Sequence, residues 1–327
     1  MQKAVAWVLS AVFEQDFLDC SHGFRPTRSA HTALHRLREG MQDHRARYVA
    51  ETDLASYFDT VNHEWLRKFV RHRCNDGGLL RLLNKWLKAG VMENGVITRV
   101  DDGVPQGGPV SPVLSNIYLH YVLDLWFERR FKKSCRGYAE LTRFADDFVA
   151  AFQDHGEAER FRQEMEERVA AFGLHIAPEK TAVLCFDGRL LQGRGRPVKR
   201  PATLTFLGFV HHLTKTRRGT ILIDRKPSVK ARERFVRKAK AWATANKHQP
   251  VRTQQAHLAK MLNGYFQYFG LRMCTPSLSG VRLRVHKVWW WALRRRSQKA
   301  KRRCDWETLN QQPWFELPPP RVTQAWV

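Results

Sequence analysis

The sequence has six cysteines but no Cys-x-x-Cys pair. Cys20, Cys74, Cys135, Cys185, Cys274 and Cys304 lie far apart, which argues against a zinc knuckle and against a disulfide-stapled secreted domain. Reduced thiols in a cytoplasmic protein are expected. No apolar run approaches the ~20 residues that a membrane-spanning helix needs, so no membrane partner is expected. The opening KAVAWVLSAVF lacks a convincing signal-peptide cleavage site. Its Val5, Val8, Leu9, Val12 and Phe13 recur at helical spacing, predicting a helix over Val5 to Leu18 with one buried face. Acidic residues are scarce: 31 Asp and Glu face 56 Lys and Arg, a net charge of +25. From Lys215 to Arg303 the only acids are Asp224 and Glu233. No internal repeat is present.

What is there is otherwise ordinary for a soluble globular chain, with 43% hydrophobic and 27% charged residues over 327 positions. The charge is the exception. Self-repulsion at this level is relieved by a polyanionic partner, and nucleic acid is the leading class. An anionic membrane surface and a merely solubilising surface are the competing readings.

Helices and short strands alternate through the first two-thirds of the chain. HGFRPTRS reads as a Gly/Pro/Arg loop, and Ala30, Ala33, Leu34 and Leu37 mark the next helix. YVAETDLASYF begins with strand-like alternation, and Asn62 is placed to cap a helix carrying Leu66, Phe69 and Val70. GVPQGGPVSP is a loop, followed by a helix over VLSNIYLHYVLDLWF. A strand–turn–strand around Asp146 precedes a helix with Phe161, Met165, Val169 and Phe172 on one stripe. Further strands are expected near TAVLCF and ATLTFLGFV. This mixture predicts an α+β domain. Beyond about residue 212 the composition turns basic and helical, with Ser228 as a helix cap, and the Pro-rich stretch after Cys304 reads as extended. The expected boundaries are 1–212, 213–303 and a tail over 304–327.

Two acidic features carry chemistry: Asp53 in ETDLASYFD, and the adjacent Asp146 and Asp147 in LTRFADDFVAAF. A lone strand-end aspartate is weak evidence, and a type I′ hairpin gives the same letters as the second feature. If the hairpin lies beside the Asp53 strand, three carboxylates converge and their repulsion calls for a cation. Mg²⁺ favours carboxylate oxygens together with substrate phosphates. Two such ions would activate an attacking hydroxyl and stabilise a departing pyrophosphate.

Six blocks, SHGFRPTRSAHTAL, DLASYFDTVNH, GVPQGGPVSPVLSNIYL, RFADDF, GLHIAPEKT and TFLGF, occur in order. Together they resemble bacterial group II intron reverse transcriptases, also called maturases. HLAKMLNGYFQYFG resembles the thumb or X domain of that family. The resemblance implies a right-hand polymerase palm with partial fingers, followed by a basic helical thumb. It implies two Mg²⁺ ions, with Mn²⁺ as a substitute, and as partners intron RNA, an RNA template with a DNA primer, and deoxynucleoside triphosphates. By position, Asp53 and Asp146 match the metal-binding aspartates, the Leu54 carbonyl a backbone ligand, and Asp147 a supporting neighbour. Phe58 takes the steric-gate position, though a core aromatic fits the letters equally. Gln106 and Gly107 match the block under the incoming nucleotide, where Gly107 and Gly108 permit close backbone approach. Lys180 matches a lysine near the triphosphate, and Leu207 and Gly208 match the primer grip, which without the family is simply a buried strand. The GFRP loop implies a template-side role for Arg25; an ordinary surface arginine is the alternative. Three consecutive tryptophans, Trp289 to Trp291, cannot share one helix face, so at least one is expected exposed or against a partner.

The family pattern begins upstream of Met1, so the fingers are expected to be partial and nucleotide affinity weakened. Phe144 replaces the commoner Tyr before Ala-Asp-Asp. No His/Cys-rich block follows the thumb, so no endonuclease domain is expected. The leading expectation is therefore an RNA-directed DNA polymerase that also assists intron splicing and mobility. A catalytically impaired remnant or an RNA-binding splicing factor is the runner-up, and a domesticated enzyme of phage defence ranks lower.

Overall fold

A computed structural model describes residues 1–42, 46–88, 91–93, 96–98, 103–104, 107–191, 202–324 and 326–327. The chain forms two units: Met1–Leu207 with Leu213–Ile223, and Gly208–His212 with Asp224–Val327.

The first unit is organised by a four-stranded antiparallel sheet. Tyr48–Thr52 lies between Asp147–Phe152 and Ala182–Cys185, and Ala139–Phe144 flanks Asp147–Phe152 on its other side. Every residue from Phe148 to Phe152 is buried, so this strand is covered on both faces and reads as an unbroken apolar run. The helix His155–Ala170, capped by the Asp154 side chain at Glu157 N–H, packs against it. Phe161 on that helix meets Phe127, Phe131 and Phe152 at ring-centroid distances of 5.7, 5.3 and 5.4 Å. Ala30–Met41 starts in a capping box between Ser29 and Thr32 and buries Ala33, Leu34, Leu37 and Met41. Asn62 does cap its helix, accepting from the Glu64 and Trp65 amides.

The first helix is shorter than the sequence suggests, Gln2–Phe13, and buries Ala6, Leu9 and Phe13. Val8 is 56% exposed because the stripe that meets the core runs through 6, 9 and 13. The helix from Ser111 changes pitch: it is α-helical to Leu119, then π-helical over His120–Asp124 and Phe127–Phe131. Such i→i+5 turns shift the register of the side chains that follow and recur at functional sites.

FLGF is not one buried strand. Thr203–Phe206 and Phe209–Lys215 are separate strands joined by a two-residue turn, with φ of +49° at Leu207 and +78° at Gly208.

The second unit is built on the helices Val229–Ala245, Val251–Phe269 and Thr275–Arg294. Ser228 caps the first of these through Ala231 N–H. The stretch after Cys304 is not loosely extended. Phe315 is fully buried, stacking on Trp289 at 4.7 Å, and its carbonyl meets His286 Nε2 at 2.6 Å. The Leu317 and Val327 carbonyls accept from Arg282 and Arg225. Among the described residues no helix is long and apolar enough to cross a membrane.

Candidate active site

Asp53 and the Asp146–Asp147 pair meet at one end of the first unit's sheet. Thr52 pairs with Phe148, so Asp53 leaves its strand beside the point where Asp147 enters the neighbouring one. Phe144 pairs with Asp147, which makes Ala145 and Asp146 a two-residue turn. Ala145 has φ of +57° and Asp146 is not in the left-handed region, the sign pattern of a type II′ rather than a type I′ turn.

The carboxylates feel one another. Burial raises the Asp146 pKa, and Asp53 adds to the rise. Asp147 is pushed up to about 6 by enclosure, then by Asp146 and Asp53, while the Leu207 amide hydrogen-bonds to it and pulls the other way. Its side chain still reaches solvent. Glu51 is a fourth acid here, raised to about 7 by burial first and then by Asp147 and Asp53. Among the described residues no three His, Cys, Asp or Glu side chains form a ready-made metal cage. The donor set instead suits a hard cation that takes one or two carboxylates and completes its shell with backbone, water and phosphate oxygens. Asp53 O accepts from Ala177 N–H at 2.9 Å, the hydrogen-bonded position of the Leu54–Ala55 ladder with His175–Ile176. The intervening Leu54 carbonyl therefore points away from that ladder.

The turn is held from beneath by Arg143, whose side chain is fully buried. Its Nη1 donates to Ala145 O at 2.9 Å and to Asn116 Oδ1 at 3.0 Å. Nε and Nη2 donate to Asp124 at 2.8 and 2.6 Å, and Nη2 also reaches Ser21 Oγ. Burial pulls the Arg143 pKa down, but Asp124, together with Cys20 and Tyr57, raises it above the usual value, so the guanidinium stays charged. Asn116 also donates to Gly23 O at 2.7 Å. A Cβ at Gly23 would collide with Ala145 N, so the glycine is what lets the GFRP loop touch the turn.

The other expected residues differ in placement. Phe58 is half-buried on the short helix Tyr57–Thr60 and packs edge-on to Tyr57 at 5.2 Å. Gln106 lies outside the described residues, as does the side chain of Lys180, whose backbone ends a 3₁₀ turn. Gly107 has φ of +87°, and among the described residues no atom lies within 4 Å of an added Cβ, so its glycine serves conformation. Leu207 reaches Asp147 through its amide, while an added Cβ at Gly208 would meet Phe269 at 3.6 Å. Arg25, expected on the template side, is held within the chain. All five of its donors are used internally, on Glu14 and on the carbonyls of Phe17, Leu18 and Ser21. It clasps the loop that supports the turn.

Sequence reasoning missed Glu51, Arg143, Asp124 and Asn116. The available signal was weak: an arginine inside an apolar strand and an aspartate inside an apolar helix, 19 residues apart. Only their pairing gives either a reason to be buried.

Residues 1–211 match the family model described as "Reverse transcriptase (RNA-dependent DNA polymerase)". Over 134 residues the chain is 44% identical to Protein YkfC of Escherichia coli (strain K12), covering 40% of this chain and 35% of that protein. It is 41% identical over 129 residues to the group II intron-encoded protein LtrA of Lactococcus lactis subsp. cremoris, covering 38% of this chain and 21% of that one. The chain thus spans about a third or less of the curated relatives it matches. Among solved structures, apo telomerase from Candida tropicalis superposes with a TM-score of 0.52 at 13% identity, covering 92% of this chain and 48% of that chain, a likeness of fold alone. With two-thirds of its length matched and group II intron-encoded proteins among its relatives, the chain belongs to the reverse transcriptase family.

Proposed function

We propose that this chain is an RNA-directed DNA polymerase of a group II intron that also binds intron RNA to assist splicing and mobility. The observation that carries the reading is the mutual influence of Asp53, Asp146 and Asp147 at one end of the sheet. Asp53, Asp146 and the Leu54 carbonyl are the ligands for Mg²⁺, or Mn²⁺ in its place, with Asp147 as support. When bound, two such ions supply activation of the primer 3′-hydroxyl and stabilisation of the leaving pyrophosphate. Asp53 and Asp146 bind in their ionised forms, so their crowding favours occupancy by a cation. Arg143 orients Asp146 through Ala145 O. Phe58 acts against the ribose 2′-hydroxyl, Gln106 and Gly107 lie under the incoming nucleotide, Lys180 gives a proton to pyrophosphate, and Leu207 and Gly208 grip the primer. Residues 1–212 then correspond to partial fingers and palm, 213–303 to a thumb and maturase domain, and 304–327 to its C-terminal segment.

The test is primer extension on an RNA template with Mg²⁺ and deoxynucleoside triphosphates. Product that disappears in Asp146→Ala supports the reading; a folded sample that makes none overturns the enzymatic part. A second reading, an RNA-binding splicing factor without polymerisation, draws support from the second unit's basic composition. There, Asp146→Ala leaves splicing of the cognate intron intact.

A further inference from the structure

The three consecutive tryptophans are used in three ways. Trp289 is fully buried and donates from Nε1 to Gln254 at 2.9 Å. Trp290 donates to Cys304 O at 2.9 Å. Trp291 leans on Trp290 at a ring-centroid distance of 4.8 Å and stays 49% exposed. It lines a concave surface with Arg294, Arg295, Ser297, Gln298 and Lys301.

The neighbouring arginines divide likewise. Arg296 donates to the Lys247 and Gln249 carbonyls and is structural. The Arg294 guanidinium sits 4.9 Å from the Trp290 ring and 5.4 Å from Trp291, and Arg295 lies 5.9 Å from Trp291. Among the described residues neither they nor Lys301 forms an ion pair, and Arg294 Nε is buried with no hydrogen-bond acceptor. Seven of the ten residues from Arg294 to Arg303 are Lys or Arg and none is acidic.

We infer that this concavity is a binding site for an unpaired nucleotide of single-stranded RNA, distinct from the polymerase centre. A half-exposed indole with the Arg294 and Arg295 guanidinium planes over its ring offers a base flat groups on which to stack, and these cations, unpaired with any acid among the described residues, meet the phosphates on either side. Gln298 and Ser297 add hydrogen-bonding groups that tolerate any base. A duplex does not fit the chemistry, because its bases are already stacked on each other. A lipid surface does not fit either: the lining holds one aromatic ring among polar and charged groups, and Ala300 is the only apolar residue of the adjoining helix Gln298–Arg303. That the polymer is RNA rests on the proposed function; the stacking site does not depend on polymerisation.

The test is fluorescence anisotropy with the full chain, without nucleotides, so that it reads the same whether or not the chain polymerises. The probes are a labelled oligouridylate, an abasic oligomer of equal length and a duplex RNA. Trp291→Ala should weaken oligouridylate binding roughly tenfold, as expected when one base no longer stacks, and leave abasic and duplex binding unchanged. Trp291→Phe should retain most of the affinity. Arg294→Gln with Arg295→Gln should flatten the salt dependence by about 0.7 in log–log slope for each phosphate no longer neutralised. The inference is overturned if Trp291→Ala binds oligouridylate as the parent does, or weakens the abasic probe equally. It is also overturned if phosphatidylserine vesicles, not oligouridylate, are what the substitution releases.

Discussion

Arg143 and Asp124 form an ion pair at 2.6 Å with both side chains fully excluded from solvent, directly beneath the turn that carries Asp146. The pair does two jobs that mutation separates. It neutralises two buried charges, and it aims an Arg143 N–H at Ala145 O.

Arg143→Met leaves Asp124 buried and uncompensated, which should cost about 3–5 kcal/mol in urea denaturation. The double variant Arg143→Met with Asp124→Leu should recover most of that stability, since an apolar pair replaces the ionic one. Primer extension should stay low in both, because the bond to Ala145 O is gone. Recovery of activity along with stability would show that Arg143 only holds the fold.

Gly23→Ala drives a methyl group into Ala145 N and to 3.1 Å from the Phe144 carbonyl carbon. Both are backbone atoms and cannot rotate aside. The turn must shift, and primer extension should fall at least tenfold, in proportion to misplacement of the reacting groups. Activity equal to the parent would exclude a role for this contact.

The contribution of Glu51 and Asp147 to the stability of the metal-free protein should fall as pH rises from about 4.5 to 7. Burial and crowding push Glu51 up to about 7 and Asp147 up to about 6, so these two groups hold more protons in the folded state than in the unfolded one in that window, whereas burial holds His22, His120 and His286 below the usual imidazole range and acts in the opposite sense. Glu51→Gln should flatten the dependence and raise Tm at pH 8 by about 2–4 °C, the shift that ~1 kcal/mol produces in a domain of this size. Added Mg²⁺ should stabilise more at pH 8 than at pH 5.5, because the ligands must be ionised. A Tm difference between Glu51→Gln and the parent that stays constant from pH 4.5 to pH 8 would contradict the crowding.

Phe58→Val separates a gate from a core ring. If Phe58 faces the sugar of the incoming nucleotide, the variant should incorporate ribonucleotides at least tenfold better relative to deoxynucleotides, measured as a ratio of kcat/KM values. If its role is packing against Tyr57, Tm should fall and that ratio should not move.

The Asp146 hairpin, the Asn62 cap and the Ser228 cap are legible in the sequence because each is a local matter of turn chemistry and side-chain-to-amide reach. The break within Thr203–Lys215 is not, because Leu207 takes positive φ, a choice that no local preference of leucine announces. Nor is the role of Arg25. A charge in a Gly/Pro loop reads as exposed, and the carbonyls and Glu14 that consume its donors come together only on folding.

By itself the sequence determined the identity of the acids, the basic excess and the order of the blocks, since these follow from composition and spacing. Tertiary structure alone decided which groups act on one another. It brought Glu51 beside Asp53 and Asp147, buried Arg143 against Asp124, and left Trp291 exposed while Trp289 was enclosed. Burial and charge coupling depend on distances between residues far apart in the chain, and those distances exist only once the sheet and helices are packed.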